Sequence, residues 1–191
     1  MKKMLILAVL ACVTLSAAAQ QAPARAERKA ERQAARAQSR AESRAVLQEQ
    51  NRKALQALEL NSFLVRFDRV YFRHGGSAYL TPATNFLSVE GDQVTLQIII
   101  DPSVMGPNSL GGLTLEGLAT EVSVKQSKKG VTFFHMLVNG HSLSCTVDLT
   151  LPREGNLVRA EIVSTFRNTR LSLEGSLQPY DKTAIIKGRA F

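Results

Sequence analysis

Tryptophan is absent from this chain of 191 residues, tyrosine occurs three times, histidine three times and cysteine twice. Each shortage excludes something. A glycoside hydrolase pairs two carboxylates and usually stacks its sugars on aromatic rings, and the rings are scarce. A zinc site needs three or four convergent ligands, which His74, His135 and His141 do not supply from separate turns and opposite strand faces. Two cysteines, Cys12 and Cys145, cannot build a disulfide framework. Ser142 and Ser144 lack the Gly-x-Ser-x-Gly setting of a nucleophile elbow. The chain also lacks an apolar run of about 20 residues, the length that crosses a bilayer as a helix.

What is present begins with a leader. Lys2 and Lys3 precede an apolar run from Met4 to Leu15, and Ala17-Ala18-Ala19 before Gln20 meets the small-residue rule for cleavage. Residues 1–19 therefore read as a secretory signal peptide, and the protein as exported to the periplasm, the cell surface or beyond. Cys12 after Val9-Leu10-Ala11 offers lipoprotein anchoring as the alternative. The bulky Leu10 and the complete downstream site favour cleavage after Ala19. Cys145 is then the remaining cysteine, so a core must hold the fold without staples. Residues 61–191 are enough for one, since a domain of that size buries roughly two-thirds of its unfolded surface.

The net charge of +8 is unevenly spread: +2 in residues 1–19, nine basic against five acidic residues in 20–60, and thirteen against eleven in 61–191. The last part is nearly neutral. Any electrostatic partner would meet residues 20–60. That segment is rich in Ala, Arg, Glu and Gln, without glycine and with Pro23 alone near its start, which predicts a helix from about Arg25 to about Leu58. Arg28, Arg32, Arg36, Arg40 and Arg44 recur every four residues and form a slowly winding stripe. Before Val46 the apolar residues are alanines, so no face is large enough to dock. From Val46 onward Leu47, Ala54, Leu55 and Leu58 share a face that suits a short amphipathic cap. The stripe is either a solvated spacer or a contact for anionic envelope polymer or lipid head groups. Nucleic acid is not expected outside the cytoplasm, and a membrane-inserting helix would need Leu, Phe or Trp where this one has alanine.

Residues 61–191 read as β structure. Phe63, Val65 and Phe67 alternate with Leu64, Arg66 and Asp68, and Ala78 to Leu80 suit a short strand. Phe86–Val89 and Val94–Ile100 flank Glu90-Gly91-Asp92, a hairpin with a three-residue connection. Gly117 sits where the parity of Leu113 and Leu115 changes to that of Val122 and Val124, which suggests a bulge there. Asn139-Gly140 predicts a two-residue turn with Val138 opposite His141, Met136 opposite Leu143 and Phe134 opposite Cys145. Cys145 then falls among apolar neighbours, as a small buried hydrophobe with a raised pKa. Turns at Lys128-Lys129-Gly130 and Glu154-Gly155-Asn156, strands around Leu157–Val163 and Leu171–Leu177, and a closing strand at Ala184-Ile185-Ile186 complete the count. The fold class is mainly β: an antiparallel sandwich or barrel of about eight or nine strands, preceded by the Arg/Ala-rich helix.

The glycine-studded run Gly106-Pro107-Asn108-Ser109-Leu110-Gly111-Gly112 has neither a Gly-Lys-Ser/Thr ending nor Gly-x-Gly-x-x-Gly spacing, and strand follows it, so no helix dipole awaits a phosphate. Together with Thr84-Asn85-Phe86, Gly91-Asp92 and the following Leu113-Thr114-Leu115-Glu116-Gly117, it resembles a secreted Bacteroidetes family catalogued as domain of unknown function 4251. The resemblance implies an envelope or secreted β domain, and carries over no catalytic, cofactor or metal residues. The expected role is a non-enzymatic binding or structural domain of the cell envelope. The alternatives are an apolar-ligand carrier that uses the domain interior and a hydrolase of unfamiliar type.

Overall fold

The computed structural model describes residues 28–73, 75–100, 112–141, 143–165 and 170–188 in full, with helical backbone alone for residues 2–27. The leader with Cys12 and its cleavage site, His74, Asp101, the loop residues 106–111 and Ser142 lie outside the described residues or side chains. The elements are α1 (Lys2–Glu59), β1 (Ser62–Tyr71), β2 (Ser77–Tyr79), β3 (Phe86–Glu90), β4 (Gln93–Ile98), β5 (Leu113–Gln126), β6 (Thr132–Gly140), β7 (Ser144–Leu151), β8 (Leu157–Ser164) and β9 (Arg170–Pro179), followed by a 3-10 turn at Lys182–Ala184. The chain divides into two compact units, residues 1–45 and 46–191.

Within the second unit the strands follow one another in sequence order, each antiparallel to the next, and β9 pairs back onto β1. The sandwich-or-barrel choice is thereby resolved: β1 and β3 to β9 form a closed eight-stranded barrel, with β2 as an extra strand. One edge of β1 carries β9 from Phe63 to Tyr71; the other carries β3 opposite Ser62–Arg66 and β2 opposite Arg69–Tyr71.

The period-2 pattern decides what fills it. Phe63, Val65, Phe67, Leu87, Val89, Val94, Leu96, Phe134, Met136, Val138, Cys145, Val147, Leu149, Ile162 and Leu173 belong to one buried cluster. Phe63 and Phe134 meet edge to face, 5.2 Å between centroids. An eight-stranded barrel is just wide enough to be filled by its own side chains, and this one is. The last turns of α1 close one end. Ala54, Ala57 and Leu58 are 0–3% exposed within the same cluster, and the Asn51 amide donates to Pro152 O (2.9 Å) and Gly155 O (2.8 Å) in the β7–β8 turn. This is the amphipathic cap expected after Val46.

Four local expectations are corrected. The β3–β4 connection is two residues, Gly91-Asp92, because Glu90 already pairs with Gln93; Gly91 supplies the positive φ of 66°. Asn139-Gly140 does not turn: Val138 faces Cys145, Phe134 faces Leu149 and His135 faces Asp148. Gly140 instead extends β6 opposite Gly117 of β5, where a Cβ on Gly117 would lie 2.5 Å from Asn139 O and one on Gly140 would strike Leu115. These glycines serve close strand approach rather than a turn. The register moved by an even number of residues, so the side chains paired between β6 and β7 kept their expected faces, while His141 left the ladder for the exposed turn. The bulge is not at Gly117 but between Thr120 and Ser123, with Glu121 at φ 54°.

The closing Ala184-Ile185-Ile186 is also not a strand. Asp181 caps the 3-10 turn, accepting from the Thr183 N–H (2.9 Å) and hydroxyl (2.7 Å), which hold its carboxyl below the usual range. The tail then crosses the outside of β3, β4 and β5. Gln97 of β4 is fully buried there, and both ends of its amide are used twice: Nε2 donates to Thr84 O and Ile186 O, and Oε1 accepts from the Thr114 hydroxyl and the Gly188 N–H, all at 2.7–2.8 Å. That is the full capacity of a side-chain amide. Gln97→Leu strands these partners in a buried place, so the expected cost is about 2–4 kcal/mol. Chemical denaturation gives the loss, and hydrogen exchange of residues 180–188 should rise before that of the barrel. An unchanged tail would mean that Gln97 does not hold it.

Candidate functional site

Helix propensity alone sets the basic segment in place, and its residues from Arg28 to Gln50 are solvent-exposed. Residues 28–45 carry six basic side chains (Arg28, Lys29, Arg32, Arg36, Arg40, Arg44) and two acidic ones (Glu31, Glu42), a net of +4. The five stripe arginines are spread along about 24 Å of helix and turn by roughly 40° at each step. Glu42 is engaged by Gln38 at 2.9 Å. No ion pair joins any stripe arginine to another described residue. Nearer the barrel the charges are neutralised locally: Arg52 binds Glu49 through two contacts of 2.8 Å and draws its carboxyl down to about 2.

The outer wall carries cross-strand polar pairs. His135 Nδ1 lies 2.7 Å from Asp148; the Tyr71 hydroxyl donates to Glu174 at 3.0 Å, Arg159 approaches the same carboxylate at 3.8 Å, and Arg170 approaches Glu161 at 3.4 Å. Arg69 lies over the Tyr79 ring and donates to its hydroxyl at 2.8 Å. These are neighbours across a ladder, and such exposed pairs contribute at most about 1 kcal/mol each. They form no group of three metal-capable side chains among the described residues. His135 and His141, both on the surface, do not converge.

One cleft of about 300 Å³ lies between the tail and the outer face of β3 and β4, lined by Ser88, Glu90, Gln93, Thr95, Tyr180, Lys182, Ile185 and Lys187. Burial raises the Tyr180 phenol above its ordinary value, and Glu90 adds to the rise. Lys187 is paired with Glu116. Sequence reasoning missed this cleft because Glu90 and Tyr180 meet across Ser62 of β1, which pairs with Glu90 and accepts from the Tyr180 N–H, a juxtaposition made by barrel closure. No local pattern marks them.

Cys145 is where the sequence placed it, 2% exposed between Val138 and the rest of the barrel cluster. Burial pushes its thiol from 9.0 up to about 11. Below pH 9 both folded and unfolded chains carry the thiol, and the folded state keeps this full contribution. Between about 9 and 11 the unfolded chain ionises first, so stability falls with rising pH, by about 3 kcal/mol in all. Denaturation midpoints measured from pH 8 to 11 should show this loss, and Cys145→Ala should remove its share. A folded thiol that reacts with a disulfide reagent as fast as an unfolded one at pH 8 would contradict its burial.

A family model described as Domain of unknown function (DUF4251) matches residues 45–177. The chain is also similar to a solved structure, the crystal structure of a DUF4251 family protein from Bacteroides eggerthii, at 29% identity and a TM-score of 0.64, covering 71% of this chain and 91% of that one. No curated protein matches. Among the described residues no helix is long and apolar enough to cross a membrane.

Proposed function

This chain belongs to the DUF4251 family, and we propose that it is an exported, non-enzymatic protein of the cell envelope that works by surface contact. In this reading the barrel is a stable body, and the basic helix meets anionic envelope polymer or lipid head groups through Arg28, Arg32, Arg36, Arg40 and Arg44. The observation that supports it is the helix itself: six basic side chains among residues 28–45, all exposed, with the stripe arginines unpaired to other described residues. A solvated helix with no apolar face does not stabilise a core. Its arginines cost stability through i, i+4 repulsion and are explained better by a partner outside the chain.

The carrier alternative is weaker on this geometry. Its ligand would occupy the barrel interior, where Phe63, Phe67, Phe134, Met136 and their neighbours are packed at 0–1% exposure and the end of α1 covers one mouth. A hydrolase would require convergent nucleophile and base, and Cys145 has neither exposure nor a basic neighbour in its hairpin.

Replacing the five stripe arginines by glutamine keeps helix propensity and removes the charge. Each basic residue at an anionic surface contributes about 1 kcal/mol, so binding to phosphatidylglycerol vesicles at about 0.1 M salt should weaken by more than about a hundredfold. Binding of the unaltered protein should fall steeply with added salt. Equal retention of both proteins, or retention indifferent to salt, would overturn the reading.

A further inference from the structure

The cleft beside the C-terminal tail is held open rather than filled. Every tail residue that lines it is fixed through its own backbone or that of a neighbour. The Tyr180 N–H donates to Ser62 O at 3.3 Å, and Lys182 opens the 3-10 turn that Asp181 caps. Ile185 and Lys187 flank Ile186, whose N–H donates to Ala83 O and whose C=O accepts from Gln97, each at 2.8 Å. The Gly188 N–H completes the clamp on Gln97 Oε1. A strap that served only to cover β3 and β4 would press its side chains onto the sheet and leave no void. Here a space of about 300 Å³ persists between strap and strands, at the small end of the range for ligand sites. Walls already fixed in place need little ordering when a ligand enters.

The lining narrows what can enter. Among its described residues Ile185 is the one aliphatic side chain, so an apolar molecule would bury polar groups without partners. Both signs of charge are present, Glu90 against Lys182 and Lys187, and Lys187 is already paired with Glu116. A free anion would meet Glu90, and a bare cation would meet two ammonium groups. The rest are of one kind: the Ser88, Thr95 and Tyr180 hydroxyls and the Gln93 amide each donate and accept. Such groups match a ligand whose own groups do both, which is the property of a sugar hydroxyl. Ser88 is only 7% exposed, yet its hydroxyl reaches Thr95 O at 3.5 Å, beyond the usual O–H···O range of about 2.5–3.0 Å. The protein leaves that hydroxyl's capacity largely unused. Burial and Glu90 both help the Tyr180 phenol keep its proton, so it remains a donor. We propose that the cleft binds one neutral sugar unit, with Glu90 accepting from its hydroxyls, Lys182 donating to them, Ser88 and Thr95 at the floor, and Ile185 with the Tyr180 ring against its C–H face. The site needs none of the stripe arginines.

Backbone amide NMR of the intact chain, titrated in turn with glucose, galactose, mannose and N-acetylglucosamine, is the test. A single ring offers few contacting atoms, so the dissociation constant should be about millimolar. The amides of Ser88, Gln93, Thr95 and Tyr180 should shift with at least one of the four sugars. Glu90 and Lys182 are exposed, so Glu90→Gln and Lys182→Gln should leave the fold intact while each weakens binding about tenfold, through loss of a charged acceptor or donor. Arg159→Gln, on β8, should leave it unchanged, as should replacement of the five stripe arginines by glutamine. Amides unmoved by all four sugars at about 100 mM, a hundredfold above the expected constant, would overturn the proposal. So would acetate or glycine shifting the same amides as strongly, which would mark a charged ligand, or binding indifferent to both Glu90→Gln and Lys182→Gln.

Discussion

The pairing of β9 with β1 is the constraint from which the rest of the structure follows. It joins segments about a hundred residues apart in sequence, from Phe63 opposite Pro179 to Tyr71 opposite Ser172. Once it forms, the sheet has no long edge, and each strand must send alternate side chains into a cylinder of fixed width. Phenylalanine, methionine, leucine and valine at those positions fill the cylinder. Gly175, opposite Phe67 where β1 shifts register, keeps the two backbones close: a Cβ there would strike Arg66 O. Closure also determines what remains open. The mouth beside the β7–β8 turn receives the end of α1, the outer face of β3 and β4 receives the C-terminal tail, and among the described residues the end of β5 pairs with β6 alone.

A filled and capped barrel places the chemistry on the outside. The wall's carboxylate, guanidinium and imidazole groups that interact do so as pairs across adjacent strands, such as His135 with Asp148 and Arg159 with Glu174, while Arg66 Nε is buried without a hydrogen-bond partner among the described residues. The buried thiol is protected rather than activated. Against this background the basic helix differs in kind: its charges are concentrated, mostly positive and exposed, and no ion pair joins its stripe arginines to described neighbours. The end of β5 differs too: among the described residues Thr120 to Gln126 pair with β6 alone, as β2 pairs with β1 alone.

Much of the barrel was legible in the sequence because half-buried strands write their faces directly into alternation. Phe63, Val65 and Phe67 could be assigned inward from alternation alone, and Cys145 was placed among apolar neighbours through a hairpin whose register moved but whose parity held. The Asn139-Gly140 hairpin shows the limit. The dipeptide favours a tight turn, but the approach of β5 to Gly140 uses that glycine for clearance, and the turn falls later. Parity survived while register did not. The bulge was similarly foreseen from the parity change and misplaced, because Gly117 is needed where β5 crosses Asn139, and the irregularity moves to where β4 no longer holds β5. Ile185 and Ile186 look like strand by propensity, yet two of the four hydrogen bonds of Gln97, to Ile186 O and Gly188 N–H, and the bond from Ile186 N–H to Ala83 O hold the tail as an irregular strap. The cleft at Tyr180 and Glu90 depends on that strap and left no sequence signal. The arginine stripe did, since a polar surface helix is defined by local spacing alone.

The central claim is the proposal that contact is made by the helix while the barrel remains a filled body. Hydrogen–deuterium exchange of the intact chain, with and without anionic vesicles, tests it most directly. The account predicts new protection within residues 28–45 and unchanged exchange in the inward-facing strands. Protection appearing in the barrel strands, with residues 28–45 exchanging as before, would contradict it.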